Sequence, residues 1–141
     1  MAIKSIQPRK VRKYLFTAPL HKKRKMVSAH LAEELMLKYN LRSFPVRKGD
    51  TVKVMRGAFK GHIGKVASVD TKAGKVTLEG VTIAKSDKSQ VPRPIHPSNL
   101  LITKLDLSDP WRSKKLEKRK ELVKVERKRK KKEVVRVEEK K

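Results

Sequence analysis

The sequence predicts a mainly β fold: a small closed or nearly closed barrel of about five strands, preceded by short helices and followed by a helix and a basic tail. Three observations carry this prediction. Val52 and Val54 alternate with Thr51, Lys53 and Met55, the two-residue period of a half-buried strand. Gly57, Gly61 and Gly64 follow at spacings of four and three. A helix disfavours such a cluster, because each glycine is worse than alanine by about 1 kcal/mol. A tight turn between strands uses it, because glycine reaches positive φ and admits a second backbone. Finally, all six glycines lie between positions 49 and 80, so the turn-rich body occupies the middle of the chain. Short strands with little spare apolar surface favour closure, which removes sheet edges.

The elements follow in order. Residues 7–13 (QPRKVRK) open on proline and show no apolar face, which predicts an extended basic arm. Thr17-Ala18-Pro19 predicts the start of a short helix that carries His21, Lys22, Lys23, Arg24 and Lys25 on consecutive positions. Leu31, Leu35 and Tyr39 recur every four residues, predicting a second helix over residues 30–39 with its apolar stripe on the body. Phe44 and Pro45 lead into the first strand. Strands are expected near 51–55, 63–69, 75–78, 81–83 and 99–103, with turns at Asp70–Gly74 and Glu79-Gly80. Residues 85–97 are polar and hold Pro92, Pro94 and Pro97, which reads as a long exposed loop, a kind of segment that often carries function. Asp109-Pro110 reads as a helix start, with aspartate as cap and proline in the first position. The run RKRKKK at 127–132 lacks an apolar face and is expected to be disordered in isolation. The expected organisation is a basic N-terminal extension over 1–44, a barrel over 45–109, and a C-terminal helix with a lysine-rich tail over 110–141.

Charge narrows the function. The 141 residues include 39 Lys plus Arg against 14 Asp plus Glu, a formal net charge of +25. Residues 1–48 carry 13 basic and 2 acidic side chains, residues 49–109 carry 10 and 6, and residues 110–141 carry 16 and 6. Such an excess calls for a polyanionic partner, with nucleic acid ahead of an anionic membrane surface. The absence of cysteine excludes disulfides, cysteine–zinc ribbons and thiol catalysis. No apolar stretch approaches the roughly 18 residues of a membrane span, and a signal-peptide apolar run is missing, so a cytoplasmic protein is the simplest reading. The histidines at 21, 30, 62 and 96 lack metal-ligand spacing, so no metal is expected. A nucleophile elbow, a P-loop and a dinucleotide fingerprint are all absent, so neither an enzyme nor a cofactor is expected.

The run RKGDTVKVMRGAFKGHIGKVASV at 47–69 resembles a KOW motif. Thr17-Ala18-Pro19-Leu20-His21, Leu31-Ala32-Glu33-Glu34-Leu35, Phe44-Pro45-Val46-Arg47-Lys48-Gly49-Asp50 and Ile95-His96-Pro97-Ser98-Asn99 stand around it in the order of one family. The chain, over roughly residues 1–120, is similar to the large-subunit ribosomal protein numbered twenty-four in its archaeal and eukaryotic form (the eukaryotic counterpart is numbered twenty-six). The resemblance implies an SH3-like barrel that binds the 5′ domain of large-subunit rRNA early in assembly, near the nascent-chain exit. The segment around 85–97 then corresponds to the family's exit-side loop. Implied partners are rRNA, neighbouring large-subunit proteins and nascent-chain factors at the exit; neither a membrane nor homo-oligomerisation is implied. The tail from about Glu121 matches no family pattern.

The candidate RNA-binding residues each have a plainer reading. Arg9, Lys10, Arg12 and Lys13 are either an arm that neutralises phosphate or a solvated terminus. His21, Lys22, Lys23, Arg24 and Lys25 cannot all face one way, so part of that helix lies against phosphate or simply solubilises it. Arg47, Lys48, Arg56, Lys60, His62 and Lys65 ride on or beside the glycine turns; Gly49, Gly57, Gly61 and Gly64 shape those turns. His96 either faces RNA or caps the entry to the last strand. Arg112 and Lys115 extend the basic surface onto the C-terminal helix. Trp111 either stacks on a base or anchors that helix to the core, and a lone tryptophan more often anchors. The rival to a ribosomal role is a KOW-containing transcription-elongation module that binds RNA polymerase. Such modules usually follow another folded domain and carry a milder charge.

Overall fold

The computed structural model describes residues 5–119 and 121. The run at 127–132 lies outside the described residues. In chain order the elements are α1 (Pro8–Thr17), α2 (Leu20–Met26), β1 (Ser28–Leu31), α3 (Glu33–Tyr39), β2 (Ser43–Pro45), β3 (Thr51–Val54), β4 (Ile63–Asp70), β5 (Lys75–Leu78), β6 (Thr82–Ala84), β7 (Gln90–Pro92), a 3-10 turn (Pro97–Asn99), β8 (Leu100–Lys104) and a last helix, α4, over residues 110–119.

Six strands form one sheet in the order β2-β1-β8-β3-β4-β5. Within it β1 and β8 run parallel, and the other neighbours are antiparallel. The alternating valines do what their period requires: Val52 and Val54 on β3, Val76 and Leu78 on β5, and Leu100 and Ile102 on β8 all point into the core. Each such side chain stabilises the fold by about 1.5–3 kcal/mol relative to exposure. The eight-residue β4 is shared, pairing with β3 through its first half and with β5 through its second. A register shift between Val66 and Ser68 bends it between those partners. Beyond β5 the sheet closes through Val76 and Ile95, which exchange backbone hydrogen bonds of 2.8 and 2.9 Å. Ile95 leads through the 3-10 turn straight into β8, so the curled sheet forms a small, mainly β, barrel-like body.

Three departures from the expected layout have clear causes. Residues 8–17 are helical rather than extended: Pro8 sits in the first turn, where its missing N–H costs nothing. Val11, Tyr14 and Leu15 stand at i, i+3 and i+4 along it, a stripe that shows only beyond residue 13, and the helix buries no residue. Residues 28–31 form strand β1 inside the sheet, with Ala29 and Leu31 fully buried, so helix α3 begins only at Glu33. The segment 85–97 is not one open loop, because β7 pairs back onto β6 in the register Thr82–Pro92, Ile83–Val91, Ala84–Gln90. The core itself joins Val27, Ala29, Leu31, Phe44 and Val46 to the barrel valines and to Leu116 of α4, so apolar residues from all three charge zones pack together.

The glycine turn between β3 and β4 follows its predicted logic. Gly57 and Gly61 adopt φ of +93° and +92°, and Gly61 N–H donates to the Val54 carbonyl (2.8 Å) to close the turn. Gly64 serves a different purpose: a Cβ there would stand 2.8 Å from the Glu79 carbonyl oxygen.

Candidate nucleic-acid interface

The surface is organised by one buried ion pair. Asp50 follows the β2–β3 turn and is 0% exposed; Arg112 lies in the first turn of α4 and is 4% exposed. The guanidinium meets the carboxylate with both ends, Nη1 to Oδ1 at 2.6 Å and Nη2 to Oδ2 at 2.7 Å. The Arg47 N–H donates to Oδ2 and the Asp106 N–H to Oδ1, each at 2.9 Å, so the carboxylate accepts four hydrogen bonds. Arg112 also donates to the carbonyls of Asp106 (2.9 Å) and Pro45 (3.2 Å), and its guanidinium lies 5.2 Å from the Phe44 ring centre. Together with buried Leu116, one turn further along, this fixes α4 against β2. The Asp109 carboxylate caps the helix, accepting the Trp111 N–H at 2.9 Å.

Docking α4 this way creates a groove. Arg112 and Leu116 occupy the buried face, so Trp111, Lys114, Lys115 and Lys118, spaced i, i+3, i+4, i+7, share an adjacent face. That face looks across at Arg24 and Lys25 of α2, over a floor of Phe44, Pro45 and Val46. The groove encloses about 420 Å³. A second groove of about 370 Å³ adjoins it, sharing Lys25, Phe44, Pro45 and Lys115 and adding Arg119. Among the described residues, neither lining contains an acidic side chain. Two ion pairs form among the described residues, Asp50–Arg112 and Arg47–Asp109. Arg24, Lys25, Lys114, Lys115 and Lys118 are therefore left without an acidic partner there.

The other candidate residues fall in separate places. Arg9, Lys10, Arg12 and Lys13 are exposed on α1, and at about 100° per residue they occupy a sector of roughly 160°. His21, Arg24 and Lys25 are exposed on α2, whereas Lys22 and Lys23 fold back to brace the α1–α2 corner. Lys22 lies 5.5 Å from the Tyr14 ring centre and Lys23 Nζ donates to the Phe16 carbonyl at 2.9 Å. Lys48, Arg56, Lys60 and Lys65 are exposed. His62 is half-buried; its Nε2 donates to the Glu79 carbonyl (3.1 Å), and the ring packs over Gly64 and Gly80. His96 caps the 3-10 turn, accepting the Ser98 N–H (3.3 Å) at Nδ1, while its ring stays exposed. Gly49 takes φ of +90° against Asp106.

Two expectations are corrected here. Arg112 is not a surface cation: its charge is neutralised by Asp50 inside the protein. Trp111 does not anchor its helix, because Arg112 and Leu116 do; the indole is 82% exposed. Lys114, Lys118 and Arg119, which sequence reasoning passed over, line the grooves. The spacing of Trp111 with Lys114, Lys115 and Lys118 along one helix face was the signal that marked the two lysines.

Among the described residues no three His, Asp or Glu side chains gather as a metal set, and no helix is long and apolar enough to cross a membrane. Among the described residues, barrel, docked helix and acid-free grooves define a small basic β-barrel protein with cations gathered on one face. Residues 5–119 match the model of the family that unites the eukaryotic ribosomal proteins L26 with their archaeal L24 counterparts, and the chain belongs to this family. It is similar to the "Large ribosomal subunit protein uL24" of Korarchaeum cryptofilum (strain OPF8), 50% identical over 126 residues that cover 89% of this chain and 95% of that protein. It is similar also to the protein of the same name from Methanosphaera stadtmanae, 49% identical over 115 residues, 82% of this chain and 98% of that protein.

Proposed function

We propose that the chain is a structural, non-enzymatic constituent of the large ribosomal subunit in the cytoplasm, and that it binds rRNA. The single observation that carries the RNA reading is the pair of grooves between α2, β2 and α4, which among the described residues hold no acid and are edged by Arg24, Lys25, Lys114, Lys115 and Lys118 without an acidic partner. Its mechanism is neutralisation: lysine and arginine cancel phosphate repulsion where RNA helices approach, and each phosphate contact releases counterions. Arginine and lysine on phosphate carry no sequence information, so selectivity comes from RNA shape. The α1 cations, the 56–65 turn, and the residues Lys48 and His96 would add further contacts beyond the grooves. The finer assignment follows the family resemblance: the 5′ domain of the large-subunit RNA, early in assembly, among neighbouring proteins near the nascent-chain exit.

One observation favours an additional docking role for the β6–β7 hairpin. It forms its own two-stranded sheet, and every residue from Thr82 to Pro92 is exposed. Deleting 84–90 is expected to spare RNA binding and to lower recruitment of nascent-chain factors; normal recruitment defeats that role. A polymerase-binding elongation module is disfavoured, since the similarity runs along 95% and 98% of the ribosomal relatives.

The test is co-sedimentation with purified large subunits through a high-salt wash. A protein held by exposed charge alone washes off, because such binding falls steeply with salt. Stoichiometric retention is the expected result. Release into the supernatant refutes an integral role in the subunit.

A further inference from the structure

We propose that the groove between α2 and α4 is a subsite for one unstacked nucleotide, with its base laid on Trp111 and its flanking phosphates held by Lys114, Lys118 and Arg24. The inference rests on the RNA reading above and specifies it. RNA is engaged here at a bulge or loop, not only along a paired helix.

Three features point to a base. First, a large planar indole is 82% exposed at the groove, while the neighbouring positions of the same helix, Arg112 and Leu116, supply its anchoring. Nothing in the fold needs an aromatic at 111. Second, the floor beneath is apolar, made by Phe44, Pro45 and Val46, so the recess suits a flat, weakly polar ring better than a hydrated phosphate. Its volume of about 420 Å³ lies within the range of small-molecule clefts, roughly 300–1,000 Å³. Third, the cations stand on both sides of that floor, Lys114 and Lys118 on α4 and Arg24 on α2, with no acid among the described lining residues. A nucleotide has this pattern, an apolar face between two phosphates. A paired helix buries its base faces and offers only the phosphates.

Trp111 is the chain's only tryptophan, so its fluorescence reports this groove directly. The full chain is titrated at fixed salt with three probes: an RNA hairpin carrying one unpaired adenosine, the same hairpin fully paired, and a poly-glutamate peptide. The bulged hairpin is expected to quench the indole and to bind more tightly than the paired one. Trp111→Ala should weaken the bulged complex by roughly 5- to 150-fold, the range of one lost base stack, and leave the paired complex nearly unchanged. Because the indole is exposed, the variant should unfold at the wild-type temperature; the wild-type quench needs no variant at all. Equal binding of both hairpins without quenching overturns the subsite while leaving the RNA reading intact. Binding of neither RNA overturns both. Stronger quenching by the peptide than by either RNA assigns the groove to an acidic protein segment and overturns the subsite.

Discussion

Removing either partner of the Asp50–Arg112 pair should do unequal damage, and the inequality can be worked from the contacts. Asp50→Ala strands a guanidinium whose side chain is 3% exposed. It also strands the backbone N–H groups of Arg47 and Asp106, which otherwise donate to the carboxylate. Breaking a buried pair typically costs about 3–5 kcal/mol, and an unsatisfied buried donor adds about 1–3 kcal/mol. A loss of at least ~4 kcal/mol is therefore expected, a large part of the roughly 5–15 kcal/mol that holds a typical domain. Arg112→Met keeps much of the volume and leaves both N–H donors on Asp50, so its loss should lie nearer ~3 kcal/mol. Replacing both residues should not restore the wild type, unlike many buried pairs, because the two N–H groups remain stranded. Urea unfolding followed by circular dichroism reads these differences; with a slope of about 2 kcal/mol/M, ~4 kcal/mol moves the midpoint by about 2 M. Amide exchange across α4 should accelerate in both variants. Arg112→Met within about 1 kcal/mol of the wild type, well below the cost of breaking a buried pair, refutes the pair as the anchor of α4.

Two further substitutions separate fold from binding. Gly64→Ala places a Cβ 2.8 Å from the Glu79 carbonyl, so strands β4 and β5 must shift; a loss of about 1–3 kcal/mol is expected in the same urea assay, with Gly57→Ala, which meets nothing within 4 Å, limited to its backbone strain. Lys60→Glu reverses an exposed charge on the glycine turn. It should weaken rRNA binding in a filter assay without moving the unfolding midpoint, and unchanged affinity in a normally folded variant removes this turn from the interface.

Strands β3, β5 and β8 are legible because their buried residues alternate, as at Val52 and Val54 or at Leu100 and Ile102. Strand β1 is not, because Leu31 belongs to two patterns at once. It ends the alternation Ala29–Leu31 and also begins the four-residue series Leu31, Leu35, Tyr39. Tertiary pairing with β8 decides for the strand. Pro8 reads as a breaker, although proline in the first turn equally starts a helix. The groove is half legible. Charge marks Arg24, Lys25 and Lys115, whereas the burial of Arg112 depends on Asp50, 62 residues away, and no local pattern announces it.

A chain of +25 must fold against its own repulsion, and the placement of its few acids shows how. Asp50 and Asp109 neutralise the two arginines that tie β2 and α4 to the body. Asp70 caps the β4–β5 turn; the N–H groups of Ala73 and Lys72 hold its carboxyl below the ordinary value. Asp106 is held low likewise, by Ser108. These acids serve the scaffold, and among the described residues the groove lysines are left without an acidic partner. Folding and binding therefore respond to salt with opposite signs. Raising ionic strength from about 0.05 M to 0.2 M shortens the screening length from ~14 Å to ~7 Å, which relieves repulsion between unpaired cations and should raise the unfolding temperature. Over the same range, six to ten phosphate contacts lose about 10³- to 10⁵-fold in affinity. Thermal unfolding and RNA titration at matched salt measure both. A fall in unfolding temperature with salt would mean that surface attractions, not the buried pair and the caps, hold the charges together.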